Sequence, residues 1–269
     1  MGDHEILLVA LIGAFAGLCG SLAGIGGSML MLPLLALVFT AEDFHLFAAA
    51  GLCVNVLIAS PAVWRHWRVG VLDFGVLLRT LPPLAICIAV GVIFGNGFEG
   101  ETLAQSLGVI LAVLVVVQLV VPFRDHVEAM PQPSGDAPPA AESERGRTIG
   151  LAGVGAATGL VAGFMGIGGG LMLVVGTRIF GRLTIRKAIA SSSALILVSS
   201  SVGATLKLST LHVHGFAVKH AVALACVMGA WAVLGSMVGA RLVHVIPTKP
   251  LHWLVSALLA SNAIYLIIR

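Results

Sequence analysis

Two glycine clusters of nearly the same wording, Gly24-Ile25-Gly26-Gly27-Ser28 and Gly166-Ile167-Gly168-Gly169-Gly170, interrupt apolar runs that otherwise read as continuous helices. The chemistry open to them is carried by the backbone. Clustered glycines break a helix, and where it restarts the first N–H groups have no acceptor. The helix dipole adds partial positive charge there, so an anion is held with no charged side chain, and the missing Cβ lets it come close. These restarts fall at Gly26 to Leu30 and at Gly168 to Met172. A nucleotide loop is excluded, because Met29 and Leu171 stand where G-x-G-x-x-G needs its third glycine and no strand pattern precedes it.

Side chains that would complete such a site are polar residues in otherwise apolar stretches. Asn55 is the leading candidate, and Ser192 and Ser193 are candidate hydrogen-bond donors to an oxyanion. Against each serine stands the common habit of membrane-helix hydroxyls, which bond their own i−4 carbonyl. No Asp or Glu falls deep in an apolar stretch, which argues against a carboxylate proton relay or sodium site. His66 and His220 lie near the ends of apolar stretches, where solvation is the ordinary reading, and the spacing of His212, His214 and His220 is a weak metal signal. An enzyme would need a nucleophile paired with a base or a metal cluster at depth, and the sequence offers neither; it implies no cofactor.

The elements that must position these groups are membrane helices. The 269 residues are 58% hydrophobic and 10% charged, with mean hydropathy +1.06, which marks an integral membrane protein in contact with the lipid bilayer. Six stretches are long enough to cross about 30 Å of hydrocarbon: 46–63, 74–95, 102–121, 188–206, 216–240 and 250–268. The stretch 6–19 has the length of a signal-peptide core, but Asp3, His4 and Glu5 precede it in place of a basic region, and it reads as retained structure. Cys19, Cys53, Cys87 and Cys226 read as small hydrophobes. The net charge of +3 implies no nucleic-acid partner.

A shift of 142 residues superposes the two glycine clusters, Gly17 on Gly159, Ala48 on Ala190, Arg65 on Lys207 and Phe74 on Phe216 without a gap. The chain therefore reads as a first membrane repeat over 1–121, a proline-rich cytoplasmic linker over 122–148, and a second repeat over 149–269. Segments 6–39 and 149–180 each read as two half-helices meeting at glycines, either one broken span or a hairpin that leaves on the face it entered. With hairpins, twelve of the fifteen basic residues lie inside and Lys207, Lys219 and Arg269 outside; with broken spans the division falls to nine against six. The hairpin reading predicts an all-α polytopic membrane protein of two inverted four-segment repeats, about eight hydrophobic segments in all. Gly13, Gly17, Gly155 and Gly159, spaced by four, read as close helix packing.

The duplicated G-x-G-G-[GS] breaks, Met31-Leu32-Pro33 after the first, and an alanine-rich segment leading to His66, Gly70 and Asp73 are similar to those of the TauE/SafE sulfite exporter family. The family is also called the 4-toluene sulfonate uptake permease family, and the resemblance covers essentially the whole chain. It implies a bacterial inner-membrane, multi-pass secondary transporter of sulfite, a sulfonate or a related sulfur anion. As site-formers it implies Gly24, Gly26, Gly27, Ser28, Gly166, Gly168, Gly169 and Gly170, with Asn55 and Ser192 or Ser193 lining. Two departures make the halves unequal: Val174-Val175 replaces the repeated proline, and Leu208 and His212 stand opposite His66 and Gly70. The alternative is an uncoupled anion channel or uniporter, which the missing carboxylates favour. A homodimer is common for transporters of this size, and nothing in the sequence signals one.

Overall fold

The computed structural model describes residues 3–23, 27–39, 44–120, 141–242 and 248–268, and among these every regular element is helical. In chain order they are α1 (Asp3–Ala23), α2 (Ser28–Val38), α3 (Phe44–Arg68), α4 (Phe74–Gly95), α5 (Gly100–Val120), α6 (Ala141–Met165), α7 (Gly170–Gly181), α8 (Ile185–Thr210), α9 (Val218–Leu242) and α10 (Thr248–Ile268). A short 3-10 turn, Leu211–His214, follows α8. Among the described residues five stretches are long and apolar enough to cross a membrane: Phe44–Arg68, Phe74–Gly95, Glu144–Met165, Lys187–His214 and Val218–Gly239. On α4 the outward face is as apolar as the inward one. Leu78, Ile86 and Ile93 are exposed while Leu84, Ile88 and Val92 are buried, as expected of a helix whose solvent is lipid.

The glycine breaks divide the chain unequally. The sequence suggests paired half-helices, whereas the arms are 21 and 11 residues for α1 and α2, and 25 and 12 for α6 and α7. Helix α6 is long because it starts at Ala141, inside the segment read as linker. Its first turns are rich in Ala, Glu and Arg, which favour helix. They are also anchored, by an Arg79–Glu144 ion pair at 3.1 Å and by Arg147 Nη2 donating to the Gly181 carbonyl at 3.0 Å. The remainder of that linker, like Gly24, Ile25 and Gly26, lies outside the described residues.

After the second break the chain doubles back. Gly150 lies against the Phe180 ring, Gly176 against Val154 and Gly169 against Thr158, so α6 and α7 run antiparallel. Elsewhere glycine spacing sets the partners. Gly13 and Gly17 receive the carbonyls of Met228 and Ala232, and Gly155, Gly159 and Gly163 receive those of Thr80, Leu84 and Ile88. These stripes clamp α1 parallel to α9 and α4 parallel to α6, the close packing that their four-residue spacing implies. Helix α3 packs on α8 in the opposite sense. Lys207 meets His45 at one end of the pair, and the Asp73 N–H donates to Ser191 Oγ at 3.2 Å at the other.

The turn between α3 and α4 accounts for two residues of the family pattern. Gly70 takes a left-handed φ of +71°, and Asp73 Oδ1 caps α4 by accepting from the Val76 N–H at 3.0 Å. The close approaches make a paired prediction. A Cβ on Gly159 would sit 2.6 Å from the Leu84 carbonyl oxygen, whereas one on Gly153 meets nothing within 4 Å. Gly159→Val is expected to destabilise by about 1–3 kcal/mol, read as a lower thermal midpoint in detergent. Gly153→Ala on the same helix should leave that midpoint unchanged or slightly raised.

Candidate functional site

The two breaks touch. Ser28, the first residue of α2, turns its hydroxyl away from its own helix and donates to the Ile167 carbonyl at 2.9 Å, across 139 residues of sequence. Both groups are buried. A serine at a helix start ordinarily satisfies a first-turn N–H, but α2 has no side-chain cap, and neither does α7. Each restart therefore presents first-turn N–H groups with no helical acceptor.

The second break has a backbone that only glycine adopts without strain. The Gly166 N–H closes α6 on the Ala162 carbonyl at 2.8 Å, and Gly166, Gly168 and Gly169 follow with φ of +79°, +72° and +67°. For any other L-residue each would cost about 1–2 kcal/mol. Close contact adds a second reason. A Cβ on Gly166 would lie 2.7 Å from the Ala48 side chain, and one on Gly169 only 2.1 Å from the Thr158 methyl. The break is pressed onto the face of α3 formed by Ala48, Gly51 and Asn55, spaced as one side of a helix.

At Gly168 the space left by the absent side chain is bounded by polar atoms. A Cβ there would sit 2.4 Å from Asn55 Nδ2 and 3.5 Å from Ser200 Oγ. Asn55 Nδ2 and Ser200 Oγ are buried with no hydrogen-bond partner, and so is Thr158 Oγ1 beside the neighbouring Gly169. An orphaned buried polar group costs about 1–3 kcal/mol. Three of them converge on the start of α7 from α3, α6 and α8. Their amide and hydroxyl hydrogens are donors, and among the described residues no Asp or Glu is buried. The arrangement suits a small group rich in acceptors.

The structure brings together Gly27, Ser28, Asn55, Gly166, Gly168, Gly169 and Gly170, and leaves two candidates aside. Ser192 donates to the Ala188 carbonyl, and Ser193 to that of Ile189 at 2.8 Å. Their hydroxyls are committed to their own helix. Ser200 and Thr158 stand in their place beside Gly168 and Gly169, and nothing in the sequence separates them from their neighbours. Of the histidines, His212 and His220 are exposed and His214 stacks on His45, and among the described residues no three metal-binding side chains converge.

The Ser28–Ile167 contact is open to a direct test. In a variant with its four native cysteines replaced, Ser28→Cys and Ile167→Cys should cross-link with a short thiol reagent, and moving the first cysteine to Val38 should abolish the product on a gel.

With this geometry in place, comparison with known proteins supplies the class. The model of the family described as Sulfite exporter TauE/SafE matches residues 9–266 of this chain. The chain belongs to that family, and it is a multi-pass membrane protein of a transporter class. It is 27% identical to the "Probable membrane transporter protein MamO" of Magnetospirillum gryphiswaldense, over 97% of this chain and 44% of that protein. It is 22% identical to the "Probable membrane transporter protein MJ0441" of Methanocaldococcus jannaschii, over 97% of this chain and 95% of that protein. The chain thus spans less than half the length of MamO and nearly all of MJ0441. No solved structure matches it.

Proposed function

We propose that this member of the sulfite exporter TauE/SafE family is a secondary carrier for a small sulfur-containing oxyanion, bound where the two glycine breaks meet. The observation that carries the reading is the group of unpartnered buried donors, Asn55 Nδ2, Ser200 Oγ and Thr158 Oγ1, gathered at the uncapped start of α7. A sulfite or sulfonate head offers three oxygens to this set and to the backbone N–H groups, with no cation at the centre.

Two inverted repeats and alternating access belong to the same proposal. Reciprocal pairing supports them: α1 lies on α9 as α6 lies on α4, and the corresponding helices α3 and α8 pack in opposite directions. In such carriers the solute site sits at the repeat interface, and one repeat rocks against the other. The orientation that places Arg65, Arg68, Arg178 and Lys187 on the cytoplasmic side of a bacterial inner membrane follows the positive-inside rule. An uncoupled channel is the second reading, favoured by the absence of buried carboxylates among the described residues.

Flux of labelled sulfite, sulfate and sulfoacetate in proteoliposomes tests both. Saturable counterflow of one of them is the carrier result; non-saturating flux without counterflow is the channel result, and no flux withdraws the sulfur-anion assignment. Two variants test the site. Gly168→Ala places a Cβ against Asn55 Nδ2 and is expected to abolish counterflow while the protein still inserts. Asn55→Asp is nearly isosteric but adds like charge, so it should raise the half-saturation concentration about tenfold or more, because like charges juxtaposed cost several kcal/mol. Unchanged saturation in Asn55→Asp removes the site from Gly168.

A further inference from the structure

Among the described residues one charged side chain, that of Lys207, is buried in a stretch of membrane-spanning length, and the proposed anion site does not use it. Lys207, which the sequence reading places outside, just past the span 188–206, lies within α8, which continues to Thr210, and is 1% exposed. Its Nζ lies 2.7 Å from His45 Nδ1 and 2.7 Å from Asn96 Oδ1. The other ring nitrogen, His45 Nε2, is 2.9 Å from the Phe98 carbonyl, and Asn96 Nδ2 donates to Thr210 Oγ1 at 2.8 Å. His214 stacks on His45 with ring centroids 3.6 Å apart.

These partners assign the hydrogens. A carbonyl only accepts, so His45 Nε2 carries a hydrogen, and Nδ1 of the neutral ring accepts from the lysine nitrogen. An ammonium makes that bond and the one to Asn96 Oδ1, and so does a neutral amine, so the pair keeps both contacts with the proton bound or released. Protonating the ring as well as the amine would set two cations 2.7 Å apart.

The fold does not demand a buried cation at this place. Arg65, which the 142-residue shift aligns with Lys207, is exposed at the end of α3. An ionisable group inside a membrane span is by default a functional one. This one joins α3, α8, the 3-10 turn and the α4–α5 turn, at one end of the helix pair that carries Asn55 and Ser200 near its middle.

We propose that the Lys207–His45 pair is the proton-binding site through which a pH gradient drives anion movement, an inference that rests on the carrier reading above. The pair takes one proton from water in one access state and returns it to water in the other, so each cycle restores both bases. Coupling requires only that the proton be held more tightly in one arrangement of α3 and α8 than in the other. Among titratable neighbours, His214 covers the His45 ring, while Glu99, His212, Lys219 and His220 are exposed at the same end. Glu42 and Asp43, just before His45, lie outside the described residues.

The test uses full-length protein in proteoliposomes and the anion that shows counterflow among sulfite, sulfate and sulfoacetate. Exchange at equal pH and accumulation under an imposed pH gradient are measured for wild type, Lys207→Arg and His45→Gln. Arginine keeps the charge and its donors but cannot release a proton. A purely structural lysine is therefore replaced by it, and a proton carrier is not. The expected result is that both variants lose gradient-driven accumulation relative to exchange by about tenfold or more, within the range for coupling between sites. Wild-type accumulation in Lys207→Arg overturns the proposal. Wild-type counterflow indifferent to the gradient overturns it too, while leaving the carrier standing. Absence of counterflow in wild type removes the carrier reading and this proposal together.

Discussion

A helix interrupted inside hydrocarbon must have its freed backbone groups satisfied within the protein, because lipid offers them nothing. The rest of this fold follows from that demand. The Ile167 carbonyl is met by Ser28 from the other break, and the break as a whole is sealed by the Ala48–Gly51–Asn55 face of α3. Helix α7 starts beside Gly168 with no side-chain cap.

Much of this was legible in the amino acids. The duplicated glycines announce both breaks, and the four-residue glycine spacing announces the stripes on α1 and α6. Asn55 stands out because an amide is rare in such a helix. What stayed hidden depends on which atoms meet across long stretches of chain. Six serines of α8 look alike in sequence, yet Ser192, Ser193, Ser199 and Ser201 bond carbonyls of their own helix, Ser191 accepts from Asp73, and Ser200 is left facing Gly168. Lys207 looks like the end of a span by hydropathy, since its partner His45 is 162 residues away. The charged start of α6 looks like linker because polarity masks its helix propensity.

The stretches that the 142-residue shift superposes differ in detail. Helix α2 contains Pro33 while α7 has Val174 and Val175 at the matching place, and the basic residue that closes the third helix is exposed in one half and buried in the other. The unpartnered donors come from both sides of the linker, Asn55 from one and Ser200 and Thr158 from the other.

The glycine stripes carry a consequence for how the molecule is made. Helix α1 finds its closest neighbour in α9, α3 in α8 and α4 in α6, so three of the first four helices leave the ribosome with their most intimate partners unwritten. Until α6 to α9 are inserted, the glycine face of α1 and the α4 face that receives the glycines of α6 lack those partners. Biogenesis is therefore a matter of late interlocking, in which the second half threads its helices against the first and the assembled protein exists only once nearly the whole chain is in the membrane.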